Sequence, residues 1–158
     1  MENEHKHHVV AWWTSARRAS PSPIRPLTQS IFTAPPEFGG LEGRWTPEDL
    51  LMTALASCFS TTFHAIVGCS KFEYTDLAVE AEGTVGKTDN GYCFSETIIR
   101  PSLTIPNEDQ REWAISLLHK AKVLCLVSRA LATTHKFEAR VDIGKHSHQS
   151  EDRGLQVH

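Results

Sequence analysis

Residues 46–68, TPEDLLMTALASCFSTTFHAIVG, carry the signals of one long helix around which the rest of the chain is organised. The first four letters give an N-cap hydroxyl at Thr46, a proline at the first helical position and two acidic residues in the first turn. No acidic residue, lysine or arginine follows between residues 50 and 70. Gly68 is the predicted end of the helix, because glycine is favoured just after a last turn.

At 100° per residue, the predicted helix separates into a bulky face and a face of small side chains. The bulky face is suited to a hydrophobic core and comprises Leu51, Met52, Leu55, Phe59, Phe63 and Ile66. The small face can be approached closely by another backbone and comprises Ala54, Ser57, Cys58, Thr61 and Ala65. We therefore expect both faces to be covered.

The uncharged run also has nearly the length of a membrane-spanning helix, which needs about 20 apolar residues. Its several hydroxyl side chains and His64 argue against a span, as does the lack of flanking basic residues and aromatic belts. We predict a buried central helix and no membrane partner.

The composition is that of a soluble globular protein, with 40% hydrophobic and 22% charged residues among 158. The net charge of −3 gives no reason to expect a nucleic-acid partner. Residues 1–8, MENEHKHH, lack the apolar core of a secretory signal, so we expect a reducing cytoplasm and solvated histidines that bind no metal. We expect a single domain over residues 1–145 and a flexible C-terminal tail over residues 146–158.

Alternation and turn signals predict the remaining elements. Strands are predicted at residues 7–14, 27–33, 77–85, 94–105 and 137–143, a helix after Asn107, and a short helix carrying Cys125. Asp89-Asn90-Gly91 is a turn signal, and Pro101 should restrict its strand to an edge or cause a bulge. The core stripe of the helix after Asn107 is predicted to comprise Trp113, Ala114, Leu117, Leu118 and Ala121. This order predicts an α+β fold with an antiparallel sheet.

The four cysteines are Cys58, Cys69, Cys93 and Cys125. No pair has the C-x-x-C spacing of a metal or redox motif, and a reducing compartment makes a structural disulfide framework unexpected. Cys93, at the start of a strand, is interpreted as structural. Cys58 and Cys125 lie in apolar helical runs, and a reactive thiol there needs a nearby cation, helix start or hydrogen-bond donor. The residues alone leave open inert core thiols or one reactive thiol with a distant partner.

Two motifs, GRWTPEDLLMTALASCFSTTF and CLVSRAL, resemble the OsmC/Ohr family of thiol-dependent hydroperoxide reductases over roughly residues 5–145. The resemblance implies an OsmC-like fold in which a long central helix packs with an antiparallel sheet. Carried over by position, Cys58 resembles the peroxidatic cysteine and Cys125 the resolving cysteine. Glu48 matches the glutamate that helps to orient a catalytic arginine.

The implied activity is reduction of organic hydroperoxides. The Cys58 thiolate attacks the O–O bond, becomes a sulfenic acid and condenses with Cys125 to a disulfide. A dithiol reductant, in the family often a lipoyl group, then restores both thiols by exchange. No cofactor is expected.

Helix geometry adds an expectation about assembly. Ten residues of helix rise about 15 Å, so Glu48 cannot touch Cys58 of its own chain if both are helical. If the two share a site, two such helices must run antiparallel across a two-fold axis, with the small face between them. We therefore predict an intertwined homodimer with sites at the interface.

The chain departs from the family pattern at two points. No arginine stands in a recognisable place before the central helix, which leaves as candidates Arg17, Arg18, Arg25 and Arg44. Leu126 follows Cys125, where the family commonly has proline. Two alternatives therefore remain: a catalytically weak OsmC-like dimer that binds a small apolar ligand or a lipoyl partner, and a structural dimer with inert thiols.

Overall fold

Three helices pack on one five-stranded sheet in the computed structural model, which describes residues 5–13 and 33–144. The helices are α1 (Pro47–Ser70), α2 (Arg111–Leu124) and α3 (Leu126–Ala130). The strands are β1 (His5–Trp13), β2 (Asp76–Thr88), β3 (Gly91–Ile105), β4 (Thr134–Phe137) and β5 (Arg140–Ile143). Short 3-10 helices, Pro36–Phe38 and Glu108–Gln110, precede α1 and α2. The predicted α+β fold is confirmed.

The start of α1 matches its sequence signals. The Thr46 hydroxyl accepts a hydrogen bond from the Asp49 N–H at 3.2 Å, and the Asp49 carboxylate accepts one from the Thr46 N–H at 3.0 Å. This reciprocal capping box satisfies donors that have no partner within the helix. The predicted end at Gly68 is wrong, because α1 continues to Ser70 and Lys71 takes the left-handed conformation, with φ 55°.

The bulky face of α1 forms the centre of the core. Its fully buried members are Met52, Leu55, Phe59 and Phe63, whereas Leu51 and Ile66 are half-buried. On the opposite side, Ser57, Thr61 and Ala65 are exposed in the single chain. We expected the small face to be covered, but within residues 33–144 these side chains remain exposed.

Among the described residues, α1 is the one helix long and apolar enough to cross a membrane by length and composition. Its bulky residues instead pack within a core that includes Leu77 and Val79 of β2 and Leu118 of α2. This packing is that of the central helix of a globular domain.

The sheet is mixed. Its three long strands pair antiparallel in the order β1-β2-β3, joined between β2 and β3 by the tight turn predicted at residues 89–91. Both β4 and β5 pair with β3 in parallel, because the chain returns from β3 through α2 and α3 before it rejoins the sheet. The single strand predicted at residues 137–143 is thus two short strands.

Pro101 lies in the interior of β3, opposite Val79 of β2, and not at an edge. It falls between residues 96–99, which pair with β4, and residues 102–105, which pair with β5. The proline is tolerated there because it sits at the gap between those two parallel ladders. The irregularity in the β2–β3 pairing lies elsewhere, between Thr84 and Val85.

The core stripe of α2 differs from the prediction at one position. Ala114, Leu117, Leu118 and Ala121 are buried as predicted, but Trp113 is 43% exposed. Its ring packs edge-on against Phe72, at 5.1 Å between centroids, and so covers the rim of the core. Apart from Thr33, the strand predicted at residues 27–33 lies outside the described residues, as does the tail at 146–158.

A candidate thiol site between two helices

Two cysteines that lie far apart in the sequence meet between α1 and α3. Cys58, in the middle of α1, is half-buried, and Cys125, between α2 and α3, has no exposed surface. Their side chains are hydrogen-bonded to each other and both thiols are free. Cys69 and Cys93 are exposed, at the end of α1 and the start of β3, so the structural interpretation of Cys93 has no support from burial.

A helix break places Cys125 at this position. Its backbone is extended, with φ −61° and ψ 114°, so that it closes α2 and caps the start of α3. The Cys125 N–H donates to the Ala121 carbonyl at 2.9 Å, and its own carbonyl accepts from the Arg129 N–H at 3.2 Å. The same carbonyl also accepts from the Ser128 hydroxyl at 3.0 Å. The short helix predicted to carry Cys125 is therefore present, but Cys125 caps its start and lies outside it.

Hydrogen-bond donors surround the Cys58 sulfur. Partial burial by itself would raise the pKa of this thiol, but donors to the sulfur outweigh it. These donors are the Val127 N–H, the Cys125 thiol, the Leu126 N–H and the Thr62 hydroxyl. The two N–H groups belong to the first turn of α3 and have no acceptor within that helix. Because they stabilise the charged form, the pKa of Cys58 is lowered below its ordinary value.

The pKa of Cys125 moves in the opposite direction. Burial raises it, and the N–H and hydroxyl of Ser128 offset this only in part, while the neighbouring Cys58 raises it further. A buried thiol that keeps its proton is a donor for an adjacent thiolate. The pair is therefore asymmetric: its surroundings favour the thiolate form of Cys58 and the neutral form of Cys125.

Glu48, the third predicted site residue, is not brought to the two thiols in the single chain. It lies in the first turn of α1, about 15 Å of helix rise from Cys58. One of its carboxylate oxygens, Oε2, is buried and has no hydrogen-bond partner. A buried acceptor without a donor is costly, and the described residues offer this oxygen no donor.

The candidate arginines do not complete the site within the described residues. Arg44 is exposed just before α1, and Arg17, Arg18 and Arg25 lie outside the described residues. The donors at Thr62, Leu126 and Val127 were missed by the sequence analysis. Thr62 could have been found from its spacing, one turn after Cys58, and the other two from the helix start that follows Cys125.

The described residues contain no cluster of three or more His, Cys, Asp or Glu side chains that could hold a metal ion. The side chains of the N-terminal histidines lie outside that part of the chain.

Comparison with known proteins gives a consistent result. The sequence model of the family described as OsmC-like protein matches residues 40–140. An uncharacterized protein of Bacillus subtilis, YmaD, is 31% identical over 115 residues, which cover 70% of this chain and 77% of that protein. Peroxiredoxin OsmC of Escherichia coli is 28% identical over 105 residues, which cover 66% and 72%.

Among solved structures, an organic hydroperoxide resistance protein OsmC from Legionella pneumophila superposes with a TM-score of 0.57 at 23% identity. The superposition covers 70% of this chain and 78% of that one. At this identity the likeness concerns the fold.

Proposed function

The chain belongs to the OsmC-like family, and we propose that it is a thiol-dependent peroxidase that reduces organic hydroperoxides. The observation that carries the proposal is the contact between Cys58, whose pKa is lowered, and the buried thiol of Cys125. The similarity to a protein named peroxiredoxin supports peroxide detoxification at the level of the family.

In the first step, the Cys58 thiolate attacks the terminal oxygen of the hydroperoxide R–O–O–H. An S–O bond forms and the O–O bond breaks, so that sulfur loses two electrons and the peroxide gains them. The leaving alkoxide takes up a proton and departs as the alcohol, and Cys58 is left as a sulfenic acid.

In the second step, the Cys125 sulfur attacks the Cys58 sulfur. The S–S bond forms as the S–O bond breaks, and the hydroxide leaves as water with the proton of Cys125. A dithiol reductant, such as a lipoyl group, then exchanges with the disulfide and is itself oxidised, which restores both thiols. A reducing cytoplasm would keep the pair in its thiol form between turnovers.

The roles of the two cysteines follow from burial and charge. Cys58 is half-buried and stabilised as thiolate, so that a peroxide can reach it in its reactive form. Cys125 is fully buried and keeps its proton, so it is shielded from direct oxidation. Because it already contacts Cys58, it is positioned to trap the sulfenic acid before further oxidation.

A homodimer is part of the proposal. The exposed small side chains of α1 allow a second α1 to cross closely in antiparallel orientation. In such a dimer Glu48 of one subunit approaches Cys58 of the other. The unpaired oxygen of Glu48 supports this arrangement, because an arginine bound there could stabilise the thiolate and the leaving alkoxide.

One observation favours a second candidate function. The groups that set the pKa of Cys58 include no lysine or arginine of residues 33–144. Without a cation the site would turn over slowly. In that case the chain would serve as a dimer that binds a small apolar ligand or a lipoyl-bearing partner.

The experiment that tests the proposal is disulfide mapping. The reduced protein is treated with one equivalent of cumene hydroperoxide, and its thiols are identified by mass spectrometry. We expect a Cys58–Cys125 bond that is absent in Cys58→Ser and unchanged in Cys93→Ser, a matched exposed control. Unconsumed peroxide with four free thiols would reject the peroxidase and favour the binding function.

A further inference from the structure

A concave surface lies beside α3. It is an open groove of about 460 Å³ between the end of α2, α3 and the adjoining strands β3 and β4. Ligand sites for small molecules are commonly about 300–1,000 Å³ in volume, apolar with a few polar groups. The groove has this character, because Ile99, Val123 and Leu131 line it together with basic side chains.

The charged side chains of the lining are basic. Lys122 and Arg129 line the groove together with His119, and no acidic residue lines it. Neither Lys122 nor Arg129 makes an ion pair within the described residues; the Lys122 ammonium lies over the Phe137 ring, 5.4 Å from its centroid. Two unpaired cations above apolar surface complement an anionic group that carries a hydrocarbon chain.

His135 fixes one wall of the groove. Its Nδ1 bonds to the Thr97 hydroxyl at 2.5 Å and its Nε2 to the Leu131 carbonyl at 3.2 Å, so both ring nitrogens are occupied. Thr97 is completely buried, which holds the imidazole in place. The anion would therefore be bound by Lys122 and Arg129, with His135 as a rigid boundary.

The groove also adjoins the resolving thiol. Ser128, which lines it, donates its hydroxyl hydrogen bond to the Cys125 carbonyl at 3.0 Å and contacts the Cys125 thiol. A ligand in the groove would thus be separated from Cys125 by one small side chain.

We propose that this groove binds an aliphatic monocarboxylate, with its carboxylate between Lys122 and Arg129 and its chain over Leu131 and the exposed side chain of Val123. The carboxylate supplies the acceptors that the two cations lack, and the chain covers apolar surface that is otherwise wet. The site is independent of peroxide reduction, since it requires no change at either sulfur.

The test is binding of sodium octanoate to the reduced full-length protein, measured by isothermal titration calorimetry in the absence of peroxide. We expect saturable binding. The affinity should be roughly tenfold weaker in each of the single variants Lys122→Gln and Arg129→Gln, because each loses one charge-assisted hydrogen bond. Arg129→Lys should recover part of the affinity. Lys120→Gln, a neighbouring exposed lysine of α2 outside the groove, should have no effect.

Octanol and inorganic phosphate, used as competing probes, distinguish the contribution of the carboxylate from that of the hydrocarbon chain. Each should bind at least about tenfold more weakly than octanoate, because one lacks the charge and the other lacks the chain. The proposal would be overturned if all variants bound octanoate with equal affinity. It would also be overturned if octanol or phosphate bound as tightly as octanoate, or if octanoate did not bind at all. Unchanged circular dichroism of each variant excludes misfolding, and the outcome is separate from that of the disulfide mapping.

Discussion

The thiol of Cys125 contacts the sulfur of Cys58 across 67 residues of sequence, and the two groups are shifted in opposite directions. Donors lower the pKa of Cys58, whereas burial raises that of Cys125. The contact therefore couples a partly accessible thiol whose ionisation is favoured to a buried thiol whose ionisation is disfavoured.

Replacement of Leu126 by proline should make Cys58 less reactive. The change removes the Leu126 N–H, one of the two backbone groups that donate to the Cys58 sulfur. The pKa of Cys58 should therefore rise, and its thiolate fraction at neutral pH should fall. Proline suits the first position of a helix, so α3 should form. The check is the pH profile of Cys58 alkylation by iodoacetamide, whose midpoint should move to higher pH.

Leu126→Ala is the matched control, because it shortens an exposed side chain and keeps the N–H. Its midpoint should equal that of the parent protein and lie below that of an ordinary thiol. A profile that is the same for the proline and alanine variants would show that the backbone donor is unimportant.

Cys125→Ser should separate oxidation from resolution. The serine hydroxyl can still donate to Cys58, so the first reaction with cumene hydroperoxide should proceed. The sulfenic acid should then persist, since no second sulfur is present to form a disulfide. Trapping with dimedone and mass spectrometry should give one adduct on Cys58 per chain, against little in the parent. Equal trapping in both proteins would argue against a resolving role.

Thr61→Arg should dissociate the proposed homodimer. Thr61 is exposed on the small face of α1, where a guanidinium in a close helix crossing would be buried without a partner. Sedimentation should show a monomer, and peroxide reduction should fall if both subunits build each site. Ser116→Arg, at an exposed position of α2, should remain dimeric. A monomeric parent protein would refute the assembly itself.

Two glycine substitutions should change stability in opposite directions. A Cβ at Gly83 would lie 2.6 Å from Phe94 Cε1 and 2.8 Å from Met52 Sδ, so Gly83→Ala should cost about 1–3 kcal/mol of unfolding free energy by overpacking. Gly68 lies inside α1 with open space around it, so Gly68→Ala should add about 0.5–1 kcal/mol. Urea denaturation measures both, and a shared sign would contradict this account of the packing.

Most of the helical architecture could be predicted from local patterns. The capping signals of Thr46 and the spacing of Met52, Leu55, Phe59 and Phe63 act within a few residues of each other, so they can be seen in the sequence. The end of α1 was misplaced because glycine inside a helix weakens it without ending it, and α1 continues past Gly68 until Lys71 takes the left-handed conformation.

The sheet edge could not be predicted in the same way. The β4 and β5 strands have four residues each, too few to show a period, and their parallel pairing with β3 depends on the path of α2 and α3. Pro101 was predicted to lie at an edge or a bulge and lies at neither, for the same reason, since the gap between two ladders exists only in the folded sheet. Trp113 matched the core period of α2 but lies at the rim of the core.

The sequence by itself determined the long central helix, its bulky buried face and its small exposed face, because these depend on side-chain size and spacing along one segment. It also marked Cys58 and Cys125 through their surrounding motifs. Only the tertiary structure decided how the two thiols differ. The pKa of Cys58 is lowered and that of Cys125 is raised because of donors from Leu126, Val127 and Thr62 and because of the unequal burial of the two thiols, and hydrogen bonds and burial are set by neighbours in space.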